Sequence, residues 1–130
     1  MGAYLTDTNV IIDYLGEKMP AKGLDFFDHI INTAPPCLSV IAKIELLGFS
    51  MKVHEEILAR QFVSKSIIID LSDEIVEVAI SLRKQRKVRR TPDAVIAATA
   101  LIFDLTLLTR NIDDFKNVNG LNLVNPWDIS

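Results

Sequence analysis

Ala3-Tyr4-Leu5-Thr6-Asp7-Thr8-Asn9-Val10-Ile11-Ile12-Asp13-Tyr14-Leu15 decides the fold class, because an apolar strand-like run ends on an acid and passes almost at once into apolar residues at helical spacing. The first strand is expected over about Ala3 to Asp7, and the first helix from Asn9 to a stop near Gly16. The same junction recurs along the chain. Glu45 lies a turn or two after Cys37-Leu38-Ser39, Asp93 opens a helix-like stretch, and Asp114 follows Leu105-Thr106-Leu107-Leu108-Thr109. In an open α/β sheet, ligands bind beyond the carboxyl ends of the strands, so acids placed there converge although remote in sequence. Strands alternate with helices without a repeat or a dividing linker, which predicts one α/β domain over residues 1–130.

The remaining elements follow from local signals. Pro20 and Gly23 punctuate the chain before a helix marked by Leu24, Phe27, Ile30 and Ile31, and Pro35-Pro36 ends it. Val40 to Phe49 reads as a helix that buries most of its surface, which makes Glu45 conspicuous on it. Residues 55–63 are a further helix, and Ser66-Ile67-Ile68-Ile69-Asp70 reads as a β-branched, buried strand. Ser72 is placed to cap the next helix, with Asp73 and Glu74 in its first turn. That helix is expected to end in Arg83-Lys84-Gln85-Arg86-Lys87-Val88-Arg89-Arg90. In Thr91-Pro92-Asp93-Ala94-Val95-Ile96-Ala97-Ala98-Thr99-Ala100-Leu101 a proline stands where a helix tolerates it, and small residues let the helix press against a sheet. Leu121-Asn122-Leu123-Val124 adds a short last strand before Pro126.

Composition bounds the function. The chain has 130 residues, 49% of them hydrophobic, enough for one real core and neither disordered nor linker-like. Cys37 is the single cysteine, which excludes an internal disulfide, fits a reducing cytoplasm and reads as a buried small hydrophobe. No apolar run approaches a membrane span, and the N-terminus lacks a signal-peptide pattern. Met1-Gly2-Ala3-Tyr4-Leu5-Thr6 formally matches a short acylation pattern but reads better as the approach to strand one. The net charge of −3 hides an asymmetry, since residues 83–90 hold six of the fourteen basic residues. Such a patch serves either as a solvated helix end or as a phosphate-backbone contact.

Four carboxylates brought together raise one another's pKa, and a divalent cation removes that conflict. Magnesium and manganese prefer hard oxygen donors, and acids with no histidine beside them suit phosphate chemistry. Taken singly, each acid is also a good cap or first-turn residue. Thr8 and Asn9 are candidates to cap the first helix or to touch substrate, and Asp13 reads as a solvated helix residue. His29 and His54 lack partners at metal-ligand spacing, Phe26 and Phe27 read as core or interface, and Trp127 as packing for the C-terminus.

Leu5 to Asp13, Ile44-Glu45-Leu46-Leu47, Thr91-Pro92-Asp93-Ala94 through Ala98-Thr99-Ala100, and Leu108-Thr109-Arg110-Asn111 with Asp114-Phe115 occur in an order that resembles the PIN-domain nucleases, most closely the VapC-type toxins of type II toxin-antitoxin modules. The resemblance covers essentially the whole chain. It implies a three-layer α/β/α sandwich on a mostly parallel sheet, Mg²⁺- or Mn²⁺-dependent endonucleolytic cleavage of RNA, a homodimer and a cognate antitoxin, beside the cytoplasmic location expected from the single cysteine. Carried over by position, Asp7, Glu45, Asp93 and Asp114 match the acidic quartet, with Asp7 and Asp93 as the direct metal ligands and Glu45 and Asp114 holding metal-bound waters or a second ion. The fourth position stays open among Asn111, Asp113 and Asp114. Asn9, Thr109 and Asn111 match supporting positions, and Arg86, Lys87, Arg89 and Arg90 are the candidate RNA contacts. The apolar faces of residues 24–31 and 55–63 either cover the sheet or receive an antitoxin helix. A haloacid-dehalogenase-like phosphatase needs a second acid two positions after Asp7, where this chain has Asn9, and a response-regulator receiver needs an acidic pair and a late lysine that do not accompany Asp70. A PIN-like module that binds RNA or protein without cutting is the alternative from another class.

Overall fold

The computed structural model describes residues 3–129; Met1 and Gly2, the start of the acylation-like pattern, and Ser130 lie outside the described residues. Five short strands, β1 (Tyr4–Thr6), β2 (Cys37–Ser39), β3 (Ile67–Ile69), β4 (Thr106–Leu108) and β5 (Leu123–Val124), form one sheet in the order β3-β2-β1-β4-β5. Every pairing is parallel, with Leu5 opposite Cys37 on one side and Leu107 on the other. The expected sheet, mostly parallel, is therefore parallel throughout.

Alternation along these strands divides the apolar residues between two cores. Leu5, Cys37 and Leu107 face one layer, built on α5 (Asp73–Lys84) and α6 (Thr91–Ile102), while Leu38 and Leu108 face the other. That second layer contains α1 (Thr8–Leu15), α2 (Ala21–Thr33) and α4 (Val53–Ser64), with Val10, Ile11, Phe27, Ala59 and Phe62 at its centre. The period of two in a strand is the cause, since successive side chains point to opposite faces. Helix α6 is buried at eight consecutive positions, Asp93 to Ala100, because its alanines leave room for both the sheet and α5. The layers are those of an α/β/α sandwich.

Three local readings need revision. Gly23 does not interrupt the chain; it lies inside α2, where an added Cβ would sit 2.1 Å from the Pro126 carbonyl oxygen of the short 3-10 turn Pro126–Asp128. Strand β3 is at the edge and leaves Ile67 52% exposed, so it is not a buried central strand. Helix α5 stops at Lys84, and Arg86, in a left-handed conformation (φ 58°), turns the chain so that Arg86 to Arg90 form a connection anchored by buried Val88. Trp127 does pack the C-terminal segment, half-buried beneath the Arg110 guanidinium at 4.5 Å.

Gly23→Ala is expected to destabilise the protein by about 1–3 kcal/mol, because backbone rather than a flexible side chain must yield to the new methyl. Denaturant unfolding of the two proteins checks this, and an unchanged midpoint would refute the close packing of α2 on the 3-10 turn.

Candidate active site at the sheet switch point

The chain leaves β1 for β2 and β3 on one side, then returns to place β4 on the other side of β1, so the carboxyl ends of β1 and β4 flank the switch point of the sheet. Asp7 follows β1 and Thr109 follows β4. Their side chains meet there, with the Thr109 hydroxyl donating to Asp7 Oδ2 at 2.8 Å, and the Asp7 amide donating to the Leu108 carbonyl at 2.9 Å. Thr109 is fully buried and its oxygen accepts from the Asn111 amide at 3.0 Å, which fixes the hydroxyl toward Asp7.

Asp7 is also the residue that caps α1. Its Oδ1 accepts from the Thr8 amide at 2.8 Å. Neither Thr8 nor Asn9 is the cap. Thr8 is buried in the first turn and donates its hydroxyl to Glu45 Oε1 at 2.9 Å, across 37 residues of sequence. Asn9 is exposed on that turn and makes no side-chain hydrogen bond among the described residues. Glu45 lies on α3 (Val40–Leu47), a helix less buried than its composition predicts, since only Ala42 and Leu46 are enclosed and Ile44, Glu45 and nearby Phe49 face outward.

Asp93 enters from the other layer, in the first turn of α6, and is 8% exposed. Its Oδ2 meets Arg90 Nε at 3.2 Å, the arginine standing at the N-cap position. Burial raises the Asp7 carboxyl from its ordinary range to about 6; the Thr109 and Thr8 hydrogen bonds pull it down, and the charges of Asp93 and Glu45 push it up. Asp7 therefore senses the charges of both Asp93 and Glu45. Arg90 is stabilised in its charged form by Asp93 first and more weakly by Asp114, exposed on α7 (Ile112–Phe115), and by Glu45. Asp113 instead points outward to Lys116 at 3.3 Å and is 91% exposed. Asn111 precedes α7 and contributes its amide to Thr109, not its side chain to a cap.

Within residues 83–90, Arg90 alone forms an ion pair among the described residues; Arg86 and Arg89 are exposed, Lys87 is half-buried, and Arg83 is used within the loop, donating to the Arg89 carbonyl. Asp13 is not a solvated residue but is half-buried and paired with Arg110 at 3.6 Å. Cys37 is buried, its thiol pushed up by burial, and His29 and His54 are exposed. The Arg90 pairing was readable from its i, i+3 spacing to Asp93, whereas the Thr8 contact joins two helices and left no local signal.

Among the described residues no three His, Cys, Asp or Glu side chains form a metal cage. The donors nevertheless fit Mg²⁺ or Mn²⁺, which use one or two direct carboxylates and complete their shell with water and phosphate. Asp7, raised by burial first and then by the charges of Asp93 and Glu45, is a hard oxygen donor in an excess of negative charge, for which Arg90 on Asp93 is the one cationic partner among the described residues.

The PIN domain family model matches residues 4–121, and the chain belongs to that family. Its fold is VapC-like. The chain is similar to a chain of a toxin-antitoxin complex from Klebsiella pneumoniae, at 32% identity over 98% of this chain and 100% of the other, with a TM-score of 0.75. It shares its fold with a chain of a DNA-bound VapBC from Salmonella typhimurium, at 22% identity, 97% and 99% coverage and a TM-score of 0.78. A chain of VapBC2 from Rickettsia felis, bound to a DNA fragment from the promoter, gives 24% identity, 95% and 98% coverage and a TM-score of 0.75. No curated protein matches the sequence.

The raised Asp7 carboxyl sets a pH dependence. The folded state holds this proton up to about 6 while the unfolded chain releases it near 3.8, so stability from this group is present at low pH and lost as pH rises through that window. The cost at neutral pH is on the order of 2–3 kcal/mol. In EDTA, Asp7→Asn is therefore expected to raise the thermal midpoint at pH 7.5 and to give no advantage at pH 4. An advantage that is equal at both pH values would assign the effect to something other than the buried charge.

Proposed function

We propose that the chain is a metal-dependent endoribonuclease acting as the toxin of a type II toxin-antitoxin module in the cytoplasm. The observation that carries this reading is Asp7, which stands at the switch point braced by Thr109 and is held above its usual pKa by burial first and by the charges of Asp93 and Glu45 after it. Groups with such perturbed values cluster where chemistry is done. Family membership and the likeness to a chain of the Klebsiella toxin-antitoxin complex support the toxin assignment and, with it, a cognate antitoxin and a homodimer.

In this reading Asp7 and Asp93 hold Mg²⁺ or Mn²⁺. The bound ion supplies a Lewis acid that lowers the pKa of water and stabilises charge developing on the phosphodiester. The Thr8 amide and Thr109 hydroxyl fix the Asp7 carboxylate before substrate arrives, so its orientation costs nothing during reaction. Glu45, turned by the Thr8 hydroxyl, and Asp114 accept hydrogen bonds from water at the rim of the site. Arg86, Lys87, Arg89 and Arg90 meet the phosphate backbone, a contact that is independent of sequence. Asn9, in the first turn of α1, and Asn111, at the N-cap of α7, are supporting groups in this reading.

Purified protein incubated with a mixed RNA pool and Mn²⁺ or Mg²⁺ should cleave it, and both EDTA and Asp93→Asn should abolish cleavage without unfolding the chain. Cleavage retained by a folded Asp93→Asn protein would remove that residue from the mechanism, and no cleavage by the antitoxin-free wild type would favour a module that binds without cutting. Replacing Arg86, Lys87, Arg89 and Arg90 by glutamine should weaken RNA binding and make the slope of log K against log salt shallower by about 3, as expected for four lost contacts to a single strand. An unchanged slope would return the patch to the role of a solvated helix terminus.

A further inference from the structure

We propose that Arg90 is the site's own counter-ion, a positioning residue that occupies Asp93 when no metal is bound and competes with the divalent cation for that carboxylate. The inference rests on the metal-binding reading given above and adds a role for a residue that reading treats only as a phosphate contact.

Four observations carry it. Arg90 Nε lies 3.2 Å from Asp93 Oδ2, at one of the two carboxylates assigned to the metal. The pair is fixed by the fold, because Arg90 stands at the N-cap of α6 and Asp93 in its first turn, three residues on. Asp93 is almost buried while the arginine side chain is 69% exposed, so the guanidinium approaches from the open side, where an incoming ion or phosphate must also pass. Glu45 and Asp114 act on the same guanidinium, so its single positive charge serves the acidic cluster as a whole. Asp7, by contrast, is satisfied by Thr8 and Thr109 and has no cationic partner among the described residues.

The energetics set the size of the effect. A solvent-exposed ion pair contributes little, so Arg90 is a weak competitor that a divalent cation displaces readily. Its departure from Asp93 frees the guanidinium at the mouth of the site, where it becomes available to a phosphate. One side chain thereby limits the repulsion among the acids before loading and favours the anionic substrate after it.

Manganese binding to RNA-free protein, followed by the paramagnetic resonance signal of free Mn²⁺, tests the proposal without relying on cleavage. Arg90→Gln is expected to bind Mn²⁺ about three- to tenfold more tightly than the wild type, because the competitor is gone and the cluster is more negative. Arg90→Lys, which keeps the charge but loses the guanidinium Nε–H donor, should fall between them. Lys65→Gln changes the net charge equally but lies before β3, at the opposite end of the strands, and should leave the affinity unaltered. Thermal midpoints in EDTA supply a second readout, with Arg90→Gln expected to be lower than the wild type and to gain more on adding Mn²⁺. Equal or weaker Mn²⁺ affinity in a folded Arg90→Gln protein overturns the counter-ion role and leaves the metal site standing. A comparable gain in Lys65→Gln overturns it too, by reducing the effect to net charge. Absence of Mn²⁺ binding in wild type and variants alike overturns the metal reading, and this proposal with it.

Discussion

The hydrogen bond from Thr109 to Asp7 is the constraint on which the site depends. It closes the gap between β1 and β4, the two strands between which the chain reverses its direction of travel across the sheet. A parallel sheet leaves the loops at its carboxyl end diverging at that point, and some contact must hold them together for side chains on either side to act jointly. Here the contact is itself part of the acidic site. Its donor is buried completely, its orientation is set by the Asn111 amide, and its acceptor also caps α1. The strand ends, the first helix and the reactive carboxylate are therefore positioned by one pair of residues.

Electrostatics pull the other way. Burial and the neighbouring charges of Asp93 and Glu45 make the Asp7 anion costly, and two hydrogen bonds offset only part of that cost. The fold accepts a local instability to keep oxygen donors close together, a pattern expected where a group serves chemistry in preference to packing. Arg90 and the short bonds to Thr8 and Thr109 are the internal compensation, and each engages a different carboxylate oxygen or a different acid.

Much of this was legible in the residues. Apolar runs alternating with helical spacing, and proline and serine at helix starts, were enough for one α/β domain, while the three layers and the mostly parallel sheet came with the family resemblance. Where the reading went astray, the deciding contact was distant in sequence. Gly23 looks like a chain break until Pro126 is seen against it, and three consecutive isoleucines look buried until β3 is found at the edge of the sheet. Helix α3 looks enclosed because it is apolar, yet Ile44 is 62% exposed. That Asp113 is engaged by Lys116 rather than by the acidic site depends on the phase of a single-turn helix, which composition does not set.

The acids are drawn from separately packed parts of the molecule. Asp93 rides on the α6 layer, Glu45 on a helix whose Leu46 is seated in the opposite core, and Asp7 on the central sheet between them. Detaching either layer splits the set, since no single layer holds more than a fraction of it. The cluster is thus an all-or-none property of the folded chain, and a nascent or partly unravelled molecule carries the acids without the centre they form together.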